Sequence, residues 1–153
     1  MFAARMVILA ALVSGACAST YSEVQADWPA IPSGTGRVVF FGDNYGWYGV
    51  FEGVSWKPVI AIDGREFDVG HGTGVYFMAE LPTGMRRIAV DGQEALAFFV
   101  EANTTKYVEM QRVAEVNDDF GLRKYNFKLE LLRVDEAYAK ARLDGLEFIG
   151  IVR

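Results

Sequence analysis

Apolar residues in this chain fall into short runs that alternate with glycine-containing turn signals. The stretch from Lys57 to Gly92 shows this most clearly, with Asp-Gly pairs at 63–64 and 91–92 between apolar runs. Asp-Gly in this setting is a strong hairpin signal, because a type I′ turn needs a positive φ at both central residues. The pattern predicts strands at Arg37–Phe41, Val59–Ile62, Arg65–Val69, Val75–Leu81, Met85–Val90, Ala95–Glu101, Lys106–Val116 and Tyr125–Leu131.

The C-terminal part of the chain adds one helix to this pattern. Asn117 to Gly121 is polar and ends in glycine, so we expect a loop there. Asp135 can cap a short, alanine-rich helix over Glu136–Leu143, and the apolar tail Phe148–Val152 can pack back on the sheet or add a strand. The chain is therefore predicted to form an antiparallel β-sandwich of about seven to eight strands with one short C-terminal helix.

Composition limits the classes of protein to which the chain can belong. Its 153 residues suffice for one domain, and a hydrophobic content of 52% excludes a disordered chain. A net charge of −5 argues against nucleic acid as a partner. The one cysteine, Cys17, cannot form an intramolecular disulfide, so the hydrophobic core must stabilise the fold.

The N-terminus has the pattern of a secretion signal. Residues 1–16 contain Arg5 followed by an uncharged apolar run that is too short to span a membrane. Small residues precede Cys17, as in the lipobox of bacterial lipoproteins, in which the cysteine is acylated and becomes the mature N-terminus. The alternative is cleavage after Ala18, which would leave a soluble periplasmic protein. We therefore expect a signal peptide at 1–16, a lipidated N-terminus and polar tether at 17–35, and the β-sandwich domain at 36–153.

Acylation would also decide where the protein lies. Several acyl chains would hold it on a membrane without a basic patch. Ala18 stands where an aspartate would resemble an inner-membrane retention signal, so we expect an outer-membrane lipoprotein that faces the periplasm.

Most residue groups that could carry chemistry lack the partners they need. His71 is the only histidine, and no nucleophile or set of metal ligands accompanies it. Asn117, Asp118 and Asp119 lack the further spaced oxygen ligands of a calcium loop. Arg86 and Arg87, together with Arg65, could bind an anion, but charges on the water-facing side of strand ends explain them equally well. We predict no catalytic residue, no metal site and no cofactor.

The segment from Gly42 to Trp56 is the candidate binding site. It contains four glycines and five aromatic residues that do not follow a strand period: Tyr45, Trp47, Tyr48, Phe51 and Trp56. Exposed aromatic rings stack on sugars or anchor protein partners, and loops on a rigid sandwich often carry binding residues. The alternative is a long hairpin whose aromatic residues cover one open end of the core.

The order of these elements resembles a bacterial envelope lipoprotein family catalogued as domain of unknown function 2846. The resemblance rests on Gly36–Phe41, on Val59–Gly64, on Gly74–Phe77, on Leu81–Arg86, and on Tyr107 with Asp135–Ala137. It covers about Gly36 to Leu143 and implies a small sandwich related to the PEGA and transthyretin-like domains, without implying any catalytic residue. The chain departs from the family at Arg86–Ile88 and in its aromatic segment.

These observations favour a non-enzymatic, lipid-anchored envelope domain that binds or supports a protein or glycan component of the envelope. A periplasmic cell-wall hydrolase would need a concave pocket with convergent polar groups. An enzyme inhibitor would need a narrow projecting hairpin. Both remain alternatives to the binding domain.

Overall fold

The computed structural model describes residues 25, 28–42, 59–68, 74–119 and 122–153, without the side chains of 112, 114–119 and 122–127. These residues form strands β1 (Thr35–Gly42), β2 (Val59–Ile62), β3 (Arg65–Asp68), β4 (Val75–Pro82), β5 (Gly84–Val90), β6 (Gln93–Val100), β7 (Thr105–Asp119) and β8 (Leu122–Val134), helix α1 (Glu136–Leu143) and strand β9 (Glu147–Val152).

The strands form two sheets. The larger sheet has the order β8-β7-β1-β4-β9, and the smaller has the order β3-β2-β5-β6. The prediction of a mainly β fold with one short C-terminal helix is confirmed. The larger sheet is mixed, however, because β1 pairs with β7 and β4 pairs with β9 in parallel, whereas the sequence analysis expected antiparallel pairing throughout.

Two of the predicted turns have the expected backbone. Asp63 and Gly64 have φ angles of 49° and 84°, and Asp91 and Gly92 have angles of 49° and 79°. Positive φ at both central residues is the requirement of the type I′ turn. The Asp63–Gly64 turn joins β2 to β3, and the Asp91–Gly92 turn joins β5 to β6.

Strand β1 is buried on both of its faces, as its continuous apolar run predicts. Val38 and Phe40 belong to the core between the two sheets, where Phe40 stacks on Phe77 with ring centroids 4.7 Å apart. Val39 and Phe41 face the other way, into a second apolar cluster on the outer face of the larger sheet. The second cluster includes residues of α1, so the helix covers the outer face of this sheet.

Strands β7 and β8 are longer than the sequence predicts. Asn117, Asp118 and Asp119 were expected in a loop, but they pair in register with Lys124, Arg123 and Leu122. A two-stranded ribbon can keep polar residues in its ladder, because the backbone provides the hydrogen bonds. The polar composition therefore did not indicate the end of the strand.

Candidate functional site

The two ends of the sandwich differ in the chain segments that meet there. At one end, the backbone N–H and Oγ1 of Thr83 both donate to the carbonyl of Gly34, at 3.0 and 2.8 Å. The N–H of Asn103 donates to the carbonyl of Thr35 there, at 2.9 Å. The N-terminal segment joins the sheet at this point, so we call it the entry end.

The opposite end, which we call the far end, lies where β1 finishes and β4 begins. The N–H of Gly74 donates to the carbonyl of Gly42 at 2.8 Å, and the N–H of Glu147 donates to the carbonyl of Gly74 at 2.9 Å. In the smaller sheet, Val59 and Asp91 exchange two hydrogen bonds at the corresponding end. An eight-residue strand such as β1 spans about 25 Å. The two ends are therefore well separated.

A buried ion cluster fixes the entry end. Arg37 donates to Glu80 at 2.7 Å, and the exposed fractions of the two side chains are 4% and 2%. Arg153 donates to the other oxygen of Glu80 at 2.8 Å. Burial raises the pKa of Glu80, but the hydrogen bonds from the two arginines outweigh burial, so that the pKa lies below its ordinary value.

The same arginine also holds the N-terminal segment. Arg37 donates to the carbonyl of Pro29 at 2.7 Å, and its guanidinium lies 5.4 Å from the ring centroid of Trp28. Trp28 also packs against the cluster on the outer face of the larger sheet. Trp28 and Pro29 fall within the stretch predicted as a tether, and both contact the domain.

A second buried carboxylate lies at the far end. Glu109 on β7 is 1% exposed and accepts hydrogen bonds from Tyr138 at 3.0 Å and from Gln111 at 2.9 Å. Arg142 lies 3.7 Å from it, and the Arg142 guanidinium stacks over the Tyr138 ring at 4.6 Å. These contacts join α1 to the larger sheet and leave no nucleophile beside the carboxylate among the described residues. The arrangement is that of a structural ion pair.

Beyond Met110 and Leu129, which belong to the core between the sheets, the β7–β8 hairpin continues as a two-stranded ribbon. Pairing of β1 with β7 ends at Phe41 and Glu109. The remaining ten residues of β7, from Met110 to Asp119, pair with β8, which is their only strand partner within the described residues. The seven residues of β7 from Val113 to Asp119 pair with Leu122–Lys128 of β8 and span about 20 Å. We call this two-stranded part of the far end the arm.

The predicted site residues lie outside the described part of the chain. This applies to Cys17, His71 and the aromatic residues Tyr45, Trp47, Tyr48, Phe51 and Trp56. The flanks of the aromatic segment are described, and both Gly42 and Val59 lie at the far end. The binding prediction for these residues stays a prediction.

The arginines considered as an anion site have partners within the domain. Arg86 donates to Asp63 at 2.8 Å and to the carbonyl of Pro82 at 2.9 Å. Arg65 donates to the carbonyl of Arg153, and Arg87 lies 3.7 Å from Glu94. The hydrogen bond from Arg86 and the one from the backbone of Arg87 lower the pKa of Asp63. Arg86 therefore stabilises the β2–β3 turn.

From the sequence we did not expect Arg37, Glu80 and Glu109 to be structural charges. Arg37 and Glu80 lie in runs that are otherwise largely apolar and buried, whereas Glu109 lies in β7, which carries further polar residues. A charge inside such a run is a signal of a buried pair, because an unpaired charge would be costly there. Which charges pair with each other depends on strand register, which the sequence did not reveal.

Two further properties concern the described residues alone. They contain no group of three or more His, Cys, Asp or Glu side chains that could hold a metal ion. None of the helices in this part of the chain has the length and apolar character needed to span a membrane.

Comparisons with known protein families, with curated proteins and with solved structures find no match to this chain. The geometry of the two ends is therefore the basis for assigning a function.

Proposed function

We propose that this protein is a non-enzymatic binding domain of the bacterial envelope, anchored to the outer membrane through acylated Cys17. Its role in this proposal is to hold a protein or glycan component of the envelope on the periplasmic side. The proposed binding surface is the far end of the sandwich, with the β7–β8 arm and the aromatic segment from Gly42 to Trp56.

One observation carries the proposal. The N-terminal segment meets the sandwich at the entry end, where Arg37 and Trp28 hold it, whereas the β7–β8 arm and both flanks of the aromatic segment lie at the far end. A domain anchored through its N-terminus would present the far end away from the membrane. Loops and arms on a rigid scaffold are common positions for binding residues.

A second candidate, an enzyme inhibitor, is supported by the arm itself. A narrow two-stranded projection can enter the cleft of an enzyme, and the sequence analysis named such a hairpin as the feature an inhibitor needs. The same partner experiment separates the two, since an inhibitor captures an enzyme and lowers its activity.

The test is photo-crosslinking in cells that carry the full chain. A photoreactive residue replaces Val113, which lies on the arm, or Met85, which is 62% exposed at the entry end and serves as the control. We expect one envelope partner to crosslink through position 113 and none through position 85. Equal crosslinking from both positions would contradict the proposal.

The anchor has its own test, run on the same cells. Cys17→Ser should abolish the incorporation of radiolabelled palmitate, because serine lacks the thiol that is acylated, and mass spectrometry of the wild type should show an acylated N-terminus at residue 17. An unmodified N-terminus beginning near Ser19 would remove the anchor from the proposal.

The aromatic segment is tested by replacing Trp47 and Tyr48 with alanine. Because exposed aromatic rings contribute strongly to sugar and protein binding, we expect this double variant to lose partner or glycan capture. Unchanged capture would exclude these rings from the binding surface and leave the arm as the remaining element.

A further inference from the structure

A cleft of about 520 Å³ opens between the edges of the two sheets. One wall is five consecutive residues of β8, Lys128 to Leu132, and the other is the β5–β6 turn with the start of β6, from Val90 to Ala95. Its volume lies within the range of ligand sites, about 300–1,000 Å³. The cleft is built from described residues and does not involve the aromatic segment.

Both walls are edge strands. β8 is the outermost strand of the larger sheet, and β6 is the outermost strand of the smaller one, within the described residues. The outer backbone N–H and C=O groups of an edge strand can pair with another extended chain. The bulge between Ile88 and Ala89 leaves Ala95 without a strand partner, and the small side chain of Ala95 is part of the cleft lining.

The lining combines an apolar floor with an acidic rim. Val90, Leu129 and Leu131 are 7%, 5% and 6% exposed and belong to the core between the sheets. The rim has three carboxylates, Asp91, Glu94 and Glu130, against the single ammonium of Lys128. Lys128 lies 3.1 Å from Glu130 and Arg87 lies 3.7 Å from Glu94, so these two pairs offset each other and the carboxylate of Asp91 leaves the rim with a net negative charge.

We propose that this cleft binds an extended peptide segment of a protein partner, in which apolar side chains alternate with lysine or arginine. Side chains of a strand point to opposite sides in turn, so one set would contact the apolar floor while the other set met the carboxylates. The peptide backbone would add to the free edge of β8, a recognised mode of peptide binding. The inference rests on the proposed function and deepens it, since the cleft lies at the far end beside the arm and the inference names the class of partner.

The probe is a fluorescein-labelled peptide of eight residues in which valine and lysine alternate. Its affinity for the full-length chain in detergent is measured by fluorescence anisotropy. A peptide alternating valine and glutamate tests the charge, and the valine–lysine peptide with alternate residues N-methylated tests backbone pairing. We expect each comparison peptide to bind at least about tenfold more weakly, because it loses either the charge pairing or the backbone hydrogen bonds.

Two pairs of variants locate the binding. Ala95→Trp should fill the mouth of the cleft and weaken binding about tenfold, whereas Ala97→Trp, an exposed residue of the same strand outside the cleft, should change it by less than about twofold. Glu94→Gln should weaken binding several-fold, and Glu101→Gln should not. The second pair is closely matched, because both carboxylates are 59% exposed and each lies 3.7 Å from a cation.

Three results would overturn the inference. The first is an equal loss of peptide affinity in Ala95→Trp and Ala97→Trp. The second is equal affinity for the N-methylated and the unmodified valine–lysine peptides. The third is a dimer of this chain that Ala95→Trp dissociates. The first two would show binding without the cleft or without an added strand, and the third would show that a second copy occupies the edge. Because Val113 is the register partner of Lys128, which lines the cleft, photo-crosslinking through Val113 is repeated in the Ala95→Trp variant. A partner that still crosslinks in this variant, with the peptide comparisons negative, overturns the cleft and leaves the proposed function. A peptide that binds the cleft while no envelope partner crosslinks overturns the proposed function and leaves the cleft.

Discussion

At the scale of single residues, the domain depends on a carboxylate held between two arginines. Glu80 is almost fully buried, and its oxygens accept hydrogen bonds from Arg37 and Arg153. A buried ion pair adds little by itself, because desolvation offsets the attraction between the charges. Removing one partner is costly, however, since the other charge stays buried without compensation.

Glu80→Gln should therefore lower the free energy of unfolding by roughly 3 kcal/mol, as measured by urea denaturation. The buried guanidinium of Arg37 would lose its anion, and the contact that holds Trp28 and Pro29 would weaken with it. Glu94→Gln is the control, because it removes a carboxylate that is 59% exposed and should cost less than about 1 kcal/mol. Similar losses in the two variants would show that Glu80 does not act as a buried pair.

The same carboxylate should make stability sensitive to acid. The folded pKa of Glu80 lies below its ordinary value of 4.5, so its contribution is present above that pH and is lost as the pH falls through the folded pKa. Asp63 acts in the same direction from an ordinary value of 3.8, although its exposed position reduces the effect. Urea denaturation from neutral pH downward should show the difference between wild type and Glu80→Gln shrinking below about pH 4.5. A constant difference over this range would contradict the assignment.

At the scale of elements, short sequence patterns predicted the features that depend on neighbouring residues alone. The Asp-Gly turns, strand β2 and helix α1 have their predicted positions, and Asp135 caps the helix by accepting the N–H of Tyr138 at 2.8 Å. The predicted ends of β7 and β8 were wrong, because the polar residues of this two-stranded ribbon have a composition that is typical of a loop. No local pattern showed that α1 would cover the outer face of the larger sheet.

Tyr138→Phe tests how α1 is held on that face. The variant keeps the ring beneath Arg142 and removes one donor from the buried carboxylate of Glu109. It should lower the free energy of unfolding by about 1–3 kcal/mol in urea denaturation, because the buried carboxylate of Glu109 loses one of its hydrogen-bond donors.

Lys140→Gln is the control within the same helix. It removes an ion pair with Glu136 in which both side chains are substantially exposed, so the free energy of unfolding should match that of the wild type within the error of the measurement. If Tyr138→Phe lowered the free energy of unfolding by no more than this control, the contacts of Glu109 with Tyr138 and Arg142 would not be what holds the helix on the sheet.

At the scale of the whole molecule, pairings distant in sequence decide which features share an end. β1 pairs in parallel with β7, which begins more than sixty residues later, and this pairing directs the β7–β8 arm past Gly42. Hydrophobic periodicity predicts strands but not their neighbours, so the arm and the edge cleft could not be predicted from the sequence. The order of strands in the sheets therefore determines which features lie together at the far end.

Shortening the arm tests this organisation directly. Replacing residues 116–125 by Asn-Gly would close the hairpin between Glu115 and Asn126, which are register partners. The core residues of both strands, Val108, Met110, Leu129 and Leu131, remain, so the free energy of unfolding in urea should change by less than about 1 kcal/mol. Crosslinking through Val113 should fall to the background of the Met85 control, because the partner would lose the surface that it contacts. A folded, shortened protein that still crosslinks its partner would move the binding surface away from the arm, toward the aromatic segment or the edge cleft.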